Sequence, residues 1–401
     1  MDLQIIAAIV FVLVLVVFIV VKRKNVAIQK ILFPFIYLIL YRSGFGIKFM
    51  EKTAKKYNEA IKLFGYSAIG LSLLGMVYVS ISMVITLLNL IITPITTPAV
   101  SLVLPFTNIP GIGYLSFFHW IISLFILAVI HEFAHGIVAK AHGIKIKSSG
   151  FAFLSLLAPI IPAAFVEPDE KKLEKQNDVV KYSVFAAGPI INILFALMIL
   201  FAFPYVLDSN KFAPFEEKIT YPIGFSFDVI NETVPAAKIG LKSGMIVTSF
   251  NGQETKDANP FLEKMYYCIK PGEDITLEAN NTLYTITTEV SSDGKRGVIG
   301  VNKFKNERRM KPEYELLKHP FYWTKELIRW LFLLNFFIGL FNLLPLGIVD
   351  GGRIMKTMLE KLFKNKEKAN KIWGFLSFFF LAILLFGLIT TYIGNPFSFI
   401  Q

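Results

Sequence analysis

The chain has 401 residues, of which 54% are hydrophobic and only 17% charged, and its mean hydropathy is +0.58. A soluble domain carries about 25% charge, so this composition excludes a disordered chain and argues against a wholly soluble one. The formal net charge is +12, from 41 Lys and Arg against 29 Asp and Glu; the lone cysteine, Cys268, excludes an internal disulfide framework and a cysteine-built zinc cluster.

Six apolar runs approach or exceed the ~20 residues that a helix needs to cross a bilayer. They are Leu3–Val21, Phe64–Ile92, Phe117–Ala139, Val179–Phe203, Tyr322–Leu346 and Ile372–Ile393. The first reads as a retained anchor. Asp2 stands where a signal peptide has its basic region, no small-residue cleavage site follows, and Lys22-Arg23-Lys24 comes next. The shorter stretch Ile31–Tyr41 contains Pro34 and lies between basic flanks, and it is expected to be interfacial or re-entrant. Residues 22–63 carry ten Lys and Arg against two acids, residues 140–181 seven against five, and residues 351–371 seven against two. Residues 94–116 and the tail after Ile393 carry no Asp, Glu, Lys or Arg. The positive-inside rule therefore assigns the three basic loops to the cytoplasm and both termini to the outside. The basic excess follows from topology and from contact with the lipid bilayer, and nucleic acid is dropped as a partner.

The third run contains His131-Glu132-Phe133-Ala134-His135. Spacing i, i+4 sets both imidazoles on one helical face, one turn apart. That suits two ligands of one zinc ion, with Glu132 between them as general base. The alternative is a polar helix contact or a proton relay. Ionisable groups at this depth are costly without a partner. A catalytic zinc site needs a third protein ligand and an open position. His142 fails as part of an extended motif, because Val138 and Ala141 stand where that pattern needs glycine and histidine. Glu167 and Asp350 both remain candidates at this point.

After the third run, Phe151–Val166 contains Pro159 and Pro162 and suits extended chain or a hairpin better than a helix. It is expected to be embedded, since non-helical backbone is tolerated at that depth when it is buried in protein or lines a wet cavity. Residues 208–318 break the apolar pattern with 15 basic and 16 acidic residues. Alternating stretches at Ser226–Ile230 and Ile246–Phe250 precede an Asn251-Gly252 turn. The run from Val234 to Val247 resembles a PDZ domain, which binds extended peptides at a sheet edge. Topology places it outside the cell. His119 and His319 fall near the outer surface and read as interfacial or structural.

From the third run onward the chain resembles the site-2 proteases, intramembrane zinc metalloproteases. His131–His135 looks like the family's HExxH, and Ala187-Gly188-Pro189-Ile190-Ile191-Asn192 like its GPxxN element. Asn342-Leu343-Leu344-Pro345 with Val349-Asp350-Gly351 looks like its NxxP…LDG helix, with Val in place of Leu. The resemblance implies one catalytic Zn2+ held by His131, His135 and Asp350, Glu132 as the catalytic base, and a membrane-embedded β-like element near residues 147–167. Asn192 and Asn342 are weaker candidates for a contact to substrate backbone or oxyanion.

The implied fold is a polytopic α-helical membrane protein of about six transmembrane helices, with that β-like element and one inserted extracytoplasmic PDZ-like α+β domain. The expected domains are an anchor and basic segment at 1–63, a transmembrane core at 64–207, the PDZ-like domain at 208–318 and a transmembrane core at 319–401. The implied function is hydrolysis of peptide bonds within transmembrane segments of single-span membrane proteins, in regulated intramembrane proteolysis by a prokaryotic member at the cell membrane. The active site then lies nearer the cytoplasmic side, and the PDZ-like groove is a candidate peptide site. A catalytically silent membrane scaffold or adaptor presenting the PDZ-like domain is the competing reading; a metal transporter is weaker, because few acids and histidines line the other runs.

Overall fold

The structure is a computed structural model that describes residues 3–32, 36–92, 100, 102–109, 112–156, 158–207, 215–291 and 294–393. It divides into two compact units, Met1–Ile199 with Glu326–Gln401, and Leu200–Lys325.

The first unit opens with α1 (Leu3–Val21), an apolar helix without one buried residue. Strands β1 (Val26–Leu32) and β2 (Ile36–Arg42) form an antiparallel hairpin. Helix α2 (Ile47–Lys56) follows, then α3 (Asn58–Ile92). The buried positions of α3 include Gly65, Ala68, Ser72 and Met76. These recur every three or four residues, and the small ones among them let a neighbouring helix approach closely. After a short hairpin of β3 (Thr107–Ile109) and β4 (Gly113–Leu115) comes α4 (Phe117–Ala141). Ser116 caps α4 by accepting the His119 N–H on its hydroxyl. A long hairpin, β5 (Ile146–Leu156) and β6 (Ala158–Pro168), leads through α5 (Glu170–Glu174) to α6 (Asp178–Ala202).

Strands β1, β2, β5 and β6 form one antiparallel sheet in that order, with Leu40 opposite Ala152 and Ala152 opposite Ala163. The stretch Phe151–Val166 thus lies within a hairpin. The stretch Ile31–Tyr41, expected to be interfacial or re-entrant, supplies the sheet's other half as far as it falls in the described residues. Its content of isoleucine, tyrosine and phenylalanine is a strand signal that gains a partner only when β5 lies beside it.

The second unit comprises α7 (Glu216–Ile219), β7 (Thr220–Val229), α8 (Pro235–Lys238), β8 (Val247–Phe250), β9 (Gln253–Glu254) and α9 (Asn259–Tyr267). Strands β10 (Asp274–Ala279), β11 (Thr282–Thr287), β12 (Glu289–Val290), β13 (Gly297–Val298) and β14 (Val301–Met310) follow. Its main sheet runs β11-β10-β8-β7-β14, and β9 pairs with β8. Asn251 and Gly252, at φ 45° and 76°, make the tight turn between β8 and β9. Phe225, Phe227, Val247, Phe250, Phe261 and Ile275 form part of a buried core. A groove of about 420 Å3 lies between Phe261, Met265 and Tyr266 of α9 and the segment from Arg296 to Val301.

The chain then runs through α10 (Lys318–Phe341), α11 (Asp350–Phe363) and α12 (Lys366–Ile393). Among the described residues, five helices are long and apolar enough to cross a membrane: α1, α3, α4, α6 and the stretch Lys366–Tyr392 of α12. The sixth expected run, Tyr322–Leu346, is not continuous helix. α10 ends at Phe341, and Lys325, Glu326 and Arg329 occupy its first half. About 18 Å of uninterrupted apolar helix remains, short of the ~30 Å hydrocarbon core.

Candidate metal centre

His131 and His135 project from the same side of α4, and the unwinding of the chain after α10 brings Asp350 to them. Residues 342–349 form a turn closed by the Gly351 N–H donating to the Asn342 carbonyl at 2.7 Å. A Cβ added at Gly351 would lie 2.3 Å from the Leu344 carbonyl oxygen, and one at Gly352 would lie 1.9 Å from that of Leu346. The glycine pair therefore permits the tight return. Asp350 is the first residue of α11, where the helix dipole favours a carboxylate.

Asp350 Oδ2 lies 3.0 Å from His131 Nε2 and 3.2 Å from His135 Nε2, and the two nitrogens are 3.1 Å apart. Among the described residues these three form a cluster able to hold a metal ion. Zinc bonds of ~2.0–2.1 Å in a tetrahedron give ligand separations of about 3.3 Å, so the spacing fits that ion. The donor set fits too: two imidazoles and one carboxylate leave a fourth position open.

Gly188 of α6 supplies a separate test of fit. A Cβ there would stand 2.3 Å from His135 Nε2 and 2.6 Å from His131 Nε2. The helix meets the two donor nitrogens with bare backbone, in space that a side chain would fill. On the rings' far sides, His135 Nδ1 donates to the Val184 carbonyl at 2.6 Å, and His131 Nδ1 lies 3.1 Å from Asn192 Nδ2.

Glu132 stands beside the three donors and is not one of them. Its Oε2 accepts the Val166 N–H at 2.9 Å. β6 is an edge strand of its sheet, so the carboxylate sits on the strand's unpaired side. Glu167, the other candidate ligand, is engaged elsewhere: it accepts from the Ser148 hydroxyl and lies 3.5 Å from the Arg42 guanidinium. There it ties β6 to β5 and to the end of β2.

Asn342 donates its side-chain N–H to the Ile338 carbonyl at 3.0 Å, capping its own helix. His142 pairs with the Ser183 hydroxyl, His119 with Ser116, and His319 is exposed. The contacts made by the backbone of Val184 and Val166 have no signature in the sequence, since neither depends on a side chain of those two residues. Gly188 carried a signal in its place within the Gly188-Pro189 pair, but its role becomes visible only against the two histidines.

Residues 119–384 match the family model described as Peptidase family M50, and the chain belongs to that family, the zinc metalloproteases of the site-2 type. Over 253 residues the chain is 32% identical to an uncharacterized protein, MJ0971, of Methanocaldococcus jannaschii. The alignment covers 62% of this chain, which spans 59% of that relative's length. The family and the five apolar helices together support a polytopic membrane protein.

Proposed function

We propose that this protein is an intramembrane zinc endopeptidase that cuts transmembrane segments of single-span membrane proteins in regulated intramembrane proteolysis. The observation that carries the reading is the meeting of two imidazoles and a carboxylate at 3.0–3.2 Å, with Glu132 beside them and outside the donor set. His131, His135 and Asp350 would hold one Zn2+. When bound, that ion lowers the pKa of a water and polarises the scissile carbonyl.

Glu132 takes the proton of the attacking water and delivers it to the leaving amine. Its bond to Val166 orients the carboxylate toward the open edge of β6. A substrate helix hides its peptide bonds, so it must unwind before cleavage. An extended segment laid along β6 would satisfy its own backbone groups on the strand and pass Glu132. An apolar groove of about 430 Å3, bounded by Phe11 and Phe18 of α1, Phe125 of α4 and Phe153 of β5, suits the approach of such a segment.

Residues 208–318 read as an extracytoplasmic PDZ-like domain, with the groove beside α9 as its peptide site. Both termini lie outside in this topology, and the active site lies nearer the cytoplasmic face. The test is cleavage of a model transmembrane peptide by the purified full-length protein, with and without a chelator. Glu132→Gln should keep its zinc and lose ~10²–10⁴-fold in rate. Turnover within tenfold of wild type would reject the base, and absence of any cleavage or bound zinc would favour the silent scaffold.

A further inference from the structure

Three positions of α6 that meet the metal-site histidines are spaced i, i+4, i+8: Val184, Gly188 and Asn192. That spacing sets them on one stripe of the helix. His135 meets the stripe at Val184 and His131 meets it at Asn192, and Gly188 between them faces both Nε2 atoms. Each imidazole is therefore held at Nδ1 by α6 while its Nε2 turns toward Asp350.

The two holds differ in chemistry. The Val184 carbonyl only accepts, so His135 Nδ1 carries its proton and Nε2 presents a lone pair. His131 can present Nε2 in the same way only if its Nδ1 also carries a proton and finds an acceptor. The group beside it is the Asn192 side-chain amide. Asn192 is fully buried, and its Oδ1 has no hydrogen-bond partner. A half-turn of the amide exchanges two groups of nearly equal size. It sets Oδ1 on the His131 Nδ1–H and gives that buried oxygen a partner.

We propose that Asn192 is a positioning residue of the metal centre: its side-chain oxygen accepts from His131 Nδ1–H and fixes the tautomer that turns Nε2 to the ion. This role differs from a contact to substrate, and it rests on the metalloprotease reading. Val184 performs the same task for His135 through its backbone. Partners of this kind set ring orientation and ligand basicity, and losing one costs ~10–100-fold in metal affinity.

The experiment is zinc competition against a chelator of known affinity, using purified full-length wild type, Asn192→Leu, Asn192→Asp and His131→Gln. Thermal unfolding of each variant in the absence of zinc checks its fold. Asn192→Leu keeps the branched skeleton, though it is larger, and has no acceptor; where its metal-free fold matches wild type it should bind zinc ~10–100-fold more weakly. Asn192→Asp keeps an acceptor and has no donor, and should bind as tightly as wild type or more so. If Asn192→Leu keeps its affinity within threefold and loses only cleavage, the residue serves substrate and the inference is overturned. If Asn192→Asp loses as much as Asn192→Leu, the acceptor role is overturned. Wild type that binds no zinc, or a His131→Gln variant that binds it normally, would overturn the metalloprotease reading itself.

Discussion

The glycine at 188 invites a single-methyl experiment. On intrinsic grounds Gly188→Ala should stabilise α6, since alanine is favoured over glycine within a helix by about 1 kcal/mol. The site demands the opposite. The added carbon would lie 2.3 Å from His135 Nε2, 2.6 Å from His131 Nε2 and 2.8 Å from His131 Cδ2. These approaches are about 1 Å closer than non-bonded atoms tolerate. Neither ring can swing away freely, because each is held at Nδ1 by α6 itself. Either α4 and α6 separate or the rings leave their positions, at an overpacking cost of about 1–3 kcal/mol. An ion bonded to both nitrogens is crowded by the same methyl. The expected loss of zinc affinity is at least ~100-fold, the upper end for disturbed supporting residues, or about 2.7 kcal/mol at 1.36 kcal/mol per decade. Zinc competition against a chelator, beside thermal unfolding of the metal-free protein, measures the two effects separately. A Gly188→Ala protein that folds and binds zinc as wild type does would refute the close approach of α6 to the donor nitrogens.

Asp350→Ala should lose most of its zinc while remaining folded, and Glu167→Gln should retain it, because Glu167 is occupied by Ser148 and Arg42; elemental analysis of the purified variants distinguishes them, and the reverse pattern would remove Asp350 from the site. Cys268 is exposed and should react with an impermeant thiol reagent from the outer face of oriented vesicles; labelling from the cytoplasmic face alone would invert the proposed topology. His142 lies just beyond α4, where burial and then the nearby Lys62 hold its pKa below the usual histidine range. The neutral form is thus favoured on folding, so its stabilising contribution is present above about pH 6.5 and is lost as pH falls from there through the folded value. Thermal unfolding between pH 7.5 and 5.5 should fall more steeply for wild type than for His142→Gln, and equal slopes would refute the assignment.

Features that depend on one helix were legible in the sequence. The pairing of His131 with His135, and the place of Glu132 between them, follow from helical periodicity, which sequence spacing reports directly. Apolar length identified α1, α3, α4, α6 and α12 as candidate spans for the same reason, since a single helix satisfies its own backbone. At Tyr322–Leu346 a composition average could not reveal that the helix stops at Phe341 and that the chain then turns on Gly351 and Gly352. The tertiary structure decided what depends on a second element. Asp350 stands 219 residues from His131 in sequence and 3.0 Å away in space, and spacing alone made it the better candidate than Glu167 without deciding between a ligand and a helix cap. The strands at 26–42 were obscure because a strand's hydrogen bonds belong to its partner, and β5 lies more than a hundred residues further along the chain. The support behind the histidines was hidden most completely: one hold is a backbone carbonyl, and Gly188 contributes the absence of a side chain, so neither contact has a side-chain signature until α4 and α6 pack together.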